Sequence, residues 1–114
     1  MLQFPRPFPT KEKDEIKIID VAAGTGLTGV ELNKLGFTSI DALDISQEML
    51  NEAEKKNVYK RFICTQLGDQ RTEIQTGEND ALTCVNGLGN NHIPPTALEE
   101  MCRIVSKGKK HVLF

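Results

Sequence analysis

Apolar and polar positions alternate along the chain in a way that separates short apolar runs from amphipathic stretches. Ile16, Ile18, Ile19 and Val21 form a nearly continuous apolar run, the pattern of a strand buried on both faces of a parallel sheet. A glycine-rich turn follows at once. Leu27, Val30 and Leu35, with Gly36 just beyond, predict a short helix over 26–35 that a C-terminal glycine closes. Residues 39–43 read as a second strand. Ser46 is expected to cap a helix in which Met49, Leu50 and Ala53 share a face, and which ends in Lys55, Lys56 and Asn57, where positive charge suits the helix dipole. A third strand falls within 59–65 and a fourth over 81–85, while the polar stretch 66–79 with its two glycines predicts a long loop. After Pro94-Pro95, the residues Ala97, Leu98, Met101, Ile104 and Val105 lie at helical spacing. Lys107-Gly108 closes that helix before a fifth strand over 111–114. Strands alternating with helices predict an α/β fold built on a parallel sheet.

Length and composition refine this picture. The 114 residues fit one domain, with hydrophobic residues at 39% and charged residues at 26%, as in an ordinary globular protein. Residues 1–15 combine three prolines with the charged cluster 11–15 and read as an extended leader, so the folded unit is expected over 16–114. A net charge of -2 argues against a phosphate-binding surface spread over the molecule, so no nucleic acid partner is expected. Neither an apolar span nor a secretion signal is legible, so the chain is expected to be cytoplasmic and free of membrane. Cys64, Cys84 and Cys102 are odd in number and lack CxxC spacing; all three read as reduced core or near-core residues. No metal site is expected: His111 has no second ligand at metal spacing and reads as structural.

The segment IIDVAAGTGLTG carries the chemistry. A strand that runs into glycines and then a helix lets backbone approach a ligand at the helix N-terminus. Gly24, Gly26 and Gly29 satisfy the dinucleotide pattern GxGxxG, and Asp44 lies 20 residues after Gly24, where a nicotinamide enzyme places its ribose-binding acid. That reading would make the chain an NAD(P)-binding Rossmann protein. Asp20 speaks against it. An ionised carboxylate near the end of an apolar strand is costly unless a ligand or backbone donors compensate it, and a dinucleotide fold has no regular use for one there.

Three ordered motifs, taken together, resemble the class I S-adenosylmethionine-dependent methyltransferases. Asp20, Ala22, Gly24, Thr25 and Gly26 resemble the signature of an acid, a small residue and GxG, with Ala22 where many relatives carry glycine. The run IDALDISQEML resembles the family's acid at the end of strand two, followed by serine and then Met-Leu. The run GENDALTCVNGLGNNHIPPTALEEMCRIVSKGKK resembles its passage through strand four into a helix with Leu, Glu and Arg, although Lys107-Gly108-Lys109 replaces the usual closing Pro-Gly-Gly. A longer stretch, DVAAGTGLTGVELNKLGF with Tyr59-Lys60 and residues 64–68, is similar to a methyltransferase-like branch of the same superfamily; it implies the cofactor and no particular acceptor. The resemblance spans about residues 16–114 and implies a Rossmann-like sheet in the order 3-2-1-4-5 with helices on both faces.

It also implies roles. The backbone of Gly24, Thr25 and Gly26 would contact the methionine part of S-adenosyl-L-methionine, Asp20 would position the loop or the cofactor's ammonium group, and Ala22 belongs to the same cofactor-binding set. Asp44 would accept hydrogen bonds from both ribose hydroxyls, with Ile45 and Met49 near the adenine or beneath it. For adenine recognition Gln66, Leu67, Gly68 and Asp69 all compete, and Gln66 and Leu67 are the choices. Asn86 opens the loop after strand four, next to where the methyl group should project; His92 in that loop reads first as a helix-entry or structural histidine, with the catalytic base as the alternative. The acceptor, a small molecule or a protein, is not legible. Family members usually have seven strands, so the chain is expected to be truncated before strands 6 and 7, with a sheet edge open to self-association. The alternative of a different class is a catalytically incomplete interaction module derived from a methyltransferase.

Overall fold

The computed structural model describes residues 12–85 and 94–105, together with the backbone of residues 111–113. Five parallel strands make one sheet: β1 (Lys17–Val21), β2 (Ser39–Asp44), β3 (Arg61–Cys64), β4 (Ala81–Thr83) and β5 (His111–Leu113), in the order β3-β2-β1-β4-β5. The expected order and parallel pairing are both present. Strand order reverses between β1 and β4, which makes the carboxyl ends of β1 and its neighbours the place for a ligand crevice.

The central strand β1 alternates strictly between the two faces. Ile19 and Val21 join Leu43, Ile63, Leu82 and Cys84 on one face, against Met101 and Ile104. Ile18 joins Ile40, Ala42 and Ala81 on the other, against Leu50, Ala53 and Tyr59. Helices α1 (Leu27–Lys34) and α2 (Gln47–Glu54) therefore cover one face and α3 (Leu98–Arg103) the other. Ser46 caps α2 as predicted, its Oγ accepting the Met49 amide at 3.2 Å. Asn57 ends the same segment in the left-handed region, with φ 58°.

Several details differ from expectation. Leu27 and Leu35 of the first helix are 65% and 59% exposed; the buried contact is made by Gly29, with Leu32 packed beside it, because the Tyr59 ring lies so close beneath the first turn of α1 that only glycine fits there. Among the cysteines, only Cys84 is buried, whereas Cys64 at the edge strand and Cys102 on the outer side of α3 are exposed. The last three residues of the leader, Lys13–Glu15, form a 3-10 turn, and Lys13 lies over the Phe37 ring. The helix after the prolines begins as a 3-10 turn, Pro95–Ala97, before α3.

Residues 66–79 are a loop, as read from their polarity, but a well-anchored one. Ile74 is 1% exposed in the core, and Arg103 on α3 donates to its carbonyl at 2.7 Å. Glu100, one turn earlier, pairs with Arg103 at 2.6 Å and accepts the Thr72 amide at 2.7 Å and the Thr72 hydroxyl at 2.6 Å. The Arg103 hydrogen bond, supported by those from Thr72, holds the Glu100 carboxyl down to about 2, against an ordinary 4.5. A carboxyl depressed on folding stabilises the native state above its unfolded pKa and loses that contribution as pH falls through the folded value. Stability should therefore decline as pH is lowered from about 5 toward 2. Glu100→Gln should flatten that decline, as measured by urea unfolding at several pH values; an unchanged slope in the variant would refute this role for Glu100.

Candidate functional site

β1 ends at Val21, and the chain turns through residues 22–26 into α1. Three positions of this turn have left-handed backbone: Ala22 (φ 57°), Gly24 (φ 59°) and Gly26 (φ 97°). At Ala22 the Cβ makes that conformation costly by about 1–2 kcal/mol relative to the right-handed region, so the surrounding bonds must enforce it. They come from β2. The Ala23 amide donates to the Leu43 carbonyl at 3.1 Å. The Gly24 amide donates to Asp44 Oδ2 at 2.9 Å, and Asp44 Oδ1 accepts the Ser46 amide at 2.9 Å. Half-buried at the carboxyl end of β2, Asp44 thus joins the glycine turn to the start of α2. On the outer side, Lys56 Nζ donates to the Thr25 carbonyl at 3.0 Å.

Beneath the turn lies a buried polar network. Asp20 is 1% exposed, and its carboxylate accepts the Tyr59 hydroxyl at 2.6 Å and the Thr83 hydroxyl at 2.9 Å. Tyr59 Oη in turn accepts the Gly29 amide at 3.1 Å. This last bond answers a need of α1. Its N-cap is Gly26, which has no side chain to satisfy the amides of the first turn, and the Tyr59 hydroxyl takes the place of the usual capping oxygen at the third helical residue. Burial pushes the Asp20 carboxyl above its ordinary value and the Asp44 charge adds to this, while the hydrogen bonds from Tyr59 and Thr83 pull the other way. Burial, followed by the Asp20 charge, pushes the Tyr59 phenol up as well, so it remains a proton donor.

The residues singled out from sequence fall into three groups. Ala22, Gly24, Thr25, Gly26 and Asp44 come together at the carboxyl ends of β1 and β2, with Ile45 (62% exposed) and Met49 (39%) presenting apolar surface beside them. Asp20 lies below the turn, its oxygens directed at Tyr59 and Thr83; it acts on the loop from beneath rather than facing the crevice. Gln66 is exposed, but the Leu67 side chain is 2% exposed and packs in the core with Ile63 and Ile74, so it does not offer a surface to adenine. Asn86 and His92 lie outside the described residues. Tyr59 and Thr83 fall in stretches that carry the resemblance, but the motifs assigned them no role. The available signal was Asp20 itself, since a buried carboxylate demands donors, and Tyr59 is the chain's one tyrosine.

Residues 18–108 match a family described as "Methyltransferase domain". Human methyltransferase-like protein 27 is 34% identical over 84 residues, covering 74% of this chain and 34% of that protein. A demethylmenaquinone methyltransferase of Corynebacterium glutamicum is 36% identical over 93 residues, covering 81% of this chain and 38% of its own length. Among solved structures, an S-adenosyl-L-methionine-dependent methyltransferase from Methanococcus maripaludis aligns with a TM-score of 0.70 at 22% identity, over 84% of this chain and 46% of that one. One from Aquifex aeolicus aligns with a TM-score of 0.67 at 20% identity, over 89% and 58%. With this fold, this glycine turn and these matches, the chain belongs to the class I S-adenosylmethionine-dependent methyltransferases. It spans between about a third and two-fifths of the length of these curated relatives.

Proposed function

We propose that this chain binds S-adenosyl-L-methionine at the carboxyl ends of β1 and β2 and presents its methyl group toward the residues that follow β4. The observation that carries the reading is the Asp44 carboxylate, fixed by the Gly24 and Ser46 amides at 2.9 Å each. A carboxylate offers about four acceptor positions, so an Asp44 held by two amides keeps capacity for the two vicinal ribose hydroxyls. The same two bonds orient it before any ligand arrives. The Gly24 to Gly26 backbone and the first turn of α1 then supply amide dipoles to the methionine carboxylate, while Ile45 and Met49 give the adenine an apolar flank. Methyl transfer asks mainly that an acceptor be aligned with the sulfonium methyl; when bound, the cofactor supplies that electrophilic carbon. The acceptor is a small molecule or a protein.

The nicotinamide alternative is weakened by the same geometry. The third glycine of the pattern, Gly29, serves Tyr59 rather than a close helix-to-strand contact, and Asp20 is committed to that phenol. A thermal-shift experiment separates the two. Ligand at 100 times its dissociation constant stabilises the folded state by about 2.7 kcal/mol, so S-adenosyl-L-methionine should raise the melting temperature and NADH should not. A rise with NADH alone would reverse the assignment.

A further inference from the structure

We infer that Tyr59 is a positioning residue for the cofactor turn: one buried phenol fixes both ends of residues 22–26, so that cofactor affinity depends on a hydroxyl that lies outside all three methyltransferase-like motifs. This rests on the cofactor reading above. At the entry to the turn, Tyr59 Oη donates to Asp20, two residues before the left-handed Ala22. At the exit, the same oxygen accepts the Gly29 amide and so caps α1. Between these contacts the ring itself supports the backbone: a Cβ on Gly26 would lie 3.1 Å from Tyr59 Cε2, and one on Gly29 would lie 2.3 Å from Cζ.

The phenol is held firmly enough to serve this purpose. Tyr59 is 9% exposed, and its ring meets Phe62 edge-on at 5.9 Å between centroids. Its acceptor, Asp20, is fixed in turn by the Thr83 hydroxyl of β4. A chain of hydrogen bonds therefore runs from β4 through Asp20 and Tyr59 to the first turn of α1. It sets the turn from beneath, while Asp44 sets it from the side through Gly24. With alanine rather than glycine at position 22, the turn has a conformational preference of its own against the required φ, which raises its dependence on such supports.

The test uses the full chain and four variants: Tyr59→Phe, Asp20→Asn, Asp20→Ala and the double variant Asp20→Ala with Tyr59→Phe. Each is titrated with S-adenosyl-L-methionine well below its melting temperature. Met101→Ala, a cavity on the opposite sheet face, serves as a control that lowers stability without touching the turn. Tyr59→Phe keeps the ring and removes both hydrogen bonds of the hydroxyl, to Asp20 and from Gly29, and should weaken binding about 10-fold or more. Asparagine retains an acceptor for the phenol, so Asp20→Asn should stay within about 3-fold of wild type. Asp20→Ala leaves the Gly29 bond in place and should weaken binding no more than Tyr59→Phe, and the double variant should lose less than the sum of the two single losses, because both break the Asp20–Tyr59 link. In the cofactor-free protein, hydrogen exchange at the Gly29 amide should accelerate in Tyr59→Phe and not in Met101→Ala. Unchanged affinity in Tyr59→Phe, or additive losses in the double variant, would overturn this role alone. Absence of binding by the wild-type chain would overturn the cofactor reading and this role with it.

Discussion

Replacing Asp44 by alanine should weaken S-adenosyl-L-methionine binding by about 10- to 150-fold, the range of a charged hydrogen bond worth roughly 1.5–3 kcal/mol. Sequence alone predicts a pure ligand effect, with the domain left intact. The structure changes that expectation, because the same carboxylate accepts the Gly24 and Ser46 amides. The variant should also unfold at lower urea concentration, by on the order of 1–2 kcal/mol, since two backbone donors lose their partner. Asparagine does not restore the arrangement: its single carbonyl oxygen can serve one amide, and its NH2 group then confronts the other. The ligand and structural parts separate with a 2′-deoxy analogue of the cofactor. Wild type should discriminate against the analogue, and Asp44→Ala should bind both ligands alike. Equal discrimination by the two proteins would show that Asp44 does not meet the ribose.

Gly29→Ala should be among the most damaging single-methyl additions in the described part of the chain. Helix propensity alone favours alanine over glycine by about 1 kcal/mol, so a surface helix position would gain stability. Here the added Cβ would lie 2.3 Å from Tyr59 Cζ and 2.4 Å from its hydroxyl oxygen. The ring cannot withdraw without losing its bonds to Asp20 and to Gly29 itself. Overpacking of this kind costs about 1–3 kcal/mol, and the lost hydrogen bonds add about 1 kcal/mol each. After the propensity gain, a net loss of about 2–4 kcal/mol is expected, which corresponds to a melting temperature lower by on the order of 10–20 °C. Calorimetric melting of the variant checks this directly. A melting temperature equal to or above that of wild type would mean that Tyr59 and α1 are not in contact as described.

These two residues show how far the fold and site were legible beforehand. The alternation of apolar runs located all five strands, and the polar content of 66–79 correctly marked a loop, because both signals are local. The glycine turn and Asp44 were also legible, since their spacing reflects the short path from the end of one parallel strand to the end of its neighbour. What escaped detection depends on partners remote in sequence. Leu27 and Leu35 fit a helical stripe, yet the face that α1 buries is chosen by Tyr59, 30 residues away from Gly29. Leu67 reads as a loop residue near the crevice, yet the anchoring of Ile74 by Arg103 draws its segment over the core. Asp20 announced that donors must exist without saying which, because burial cost is indifferent to the element that relieves it.

Isothermal titration of the folded wild-type chain tests cofactor binding at the Asp44-braced turn most directly. S-adenosyl-L-methionine should bind with one-to-one stoichiometry and NADH should give no binding heat. A well-folded chain that shows no S-adenosyl-L-methionine binding, or that binds NADH in its place, would contradict it.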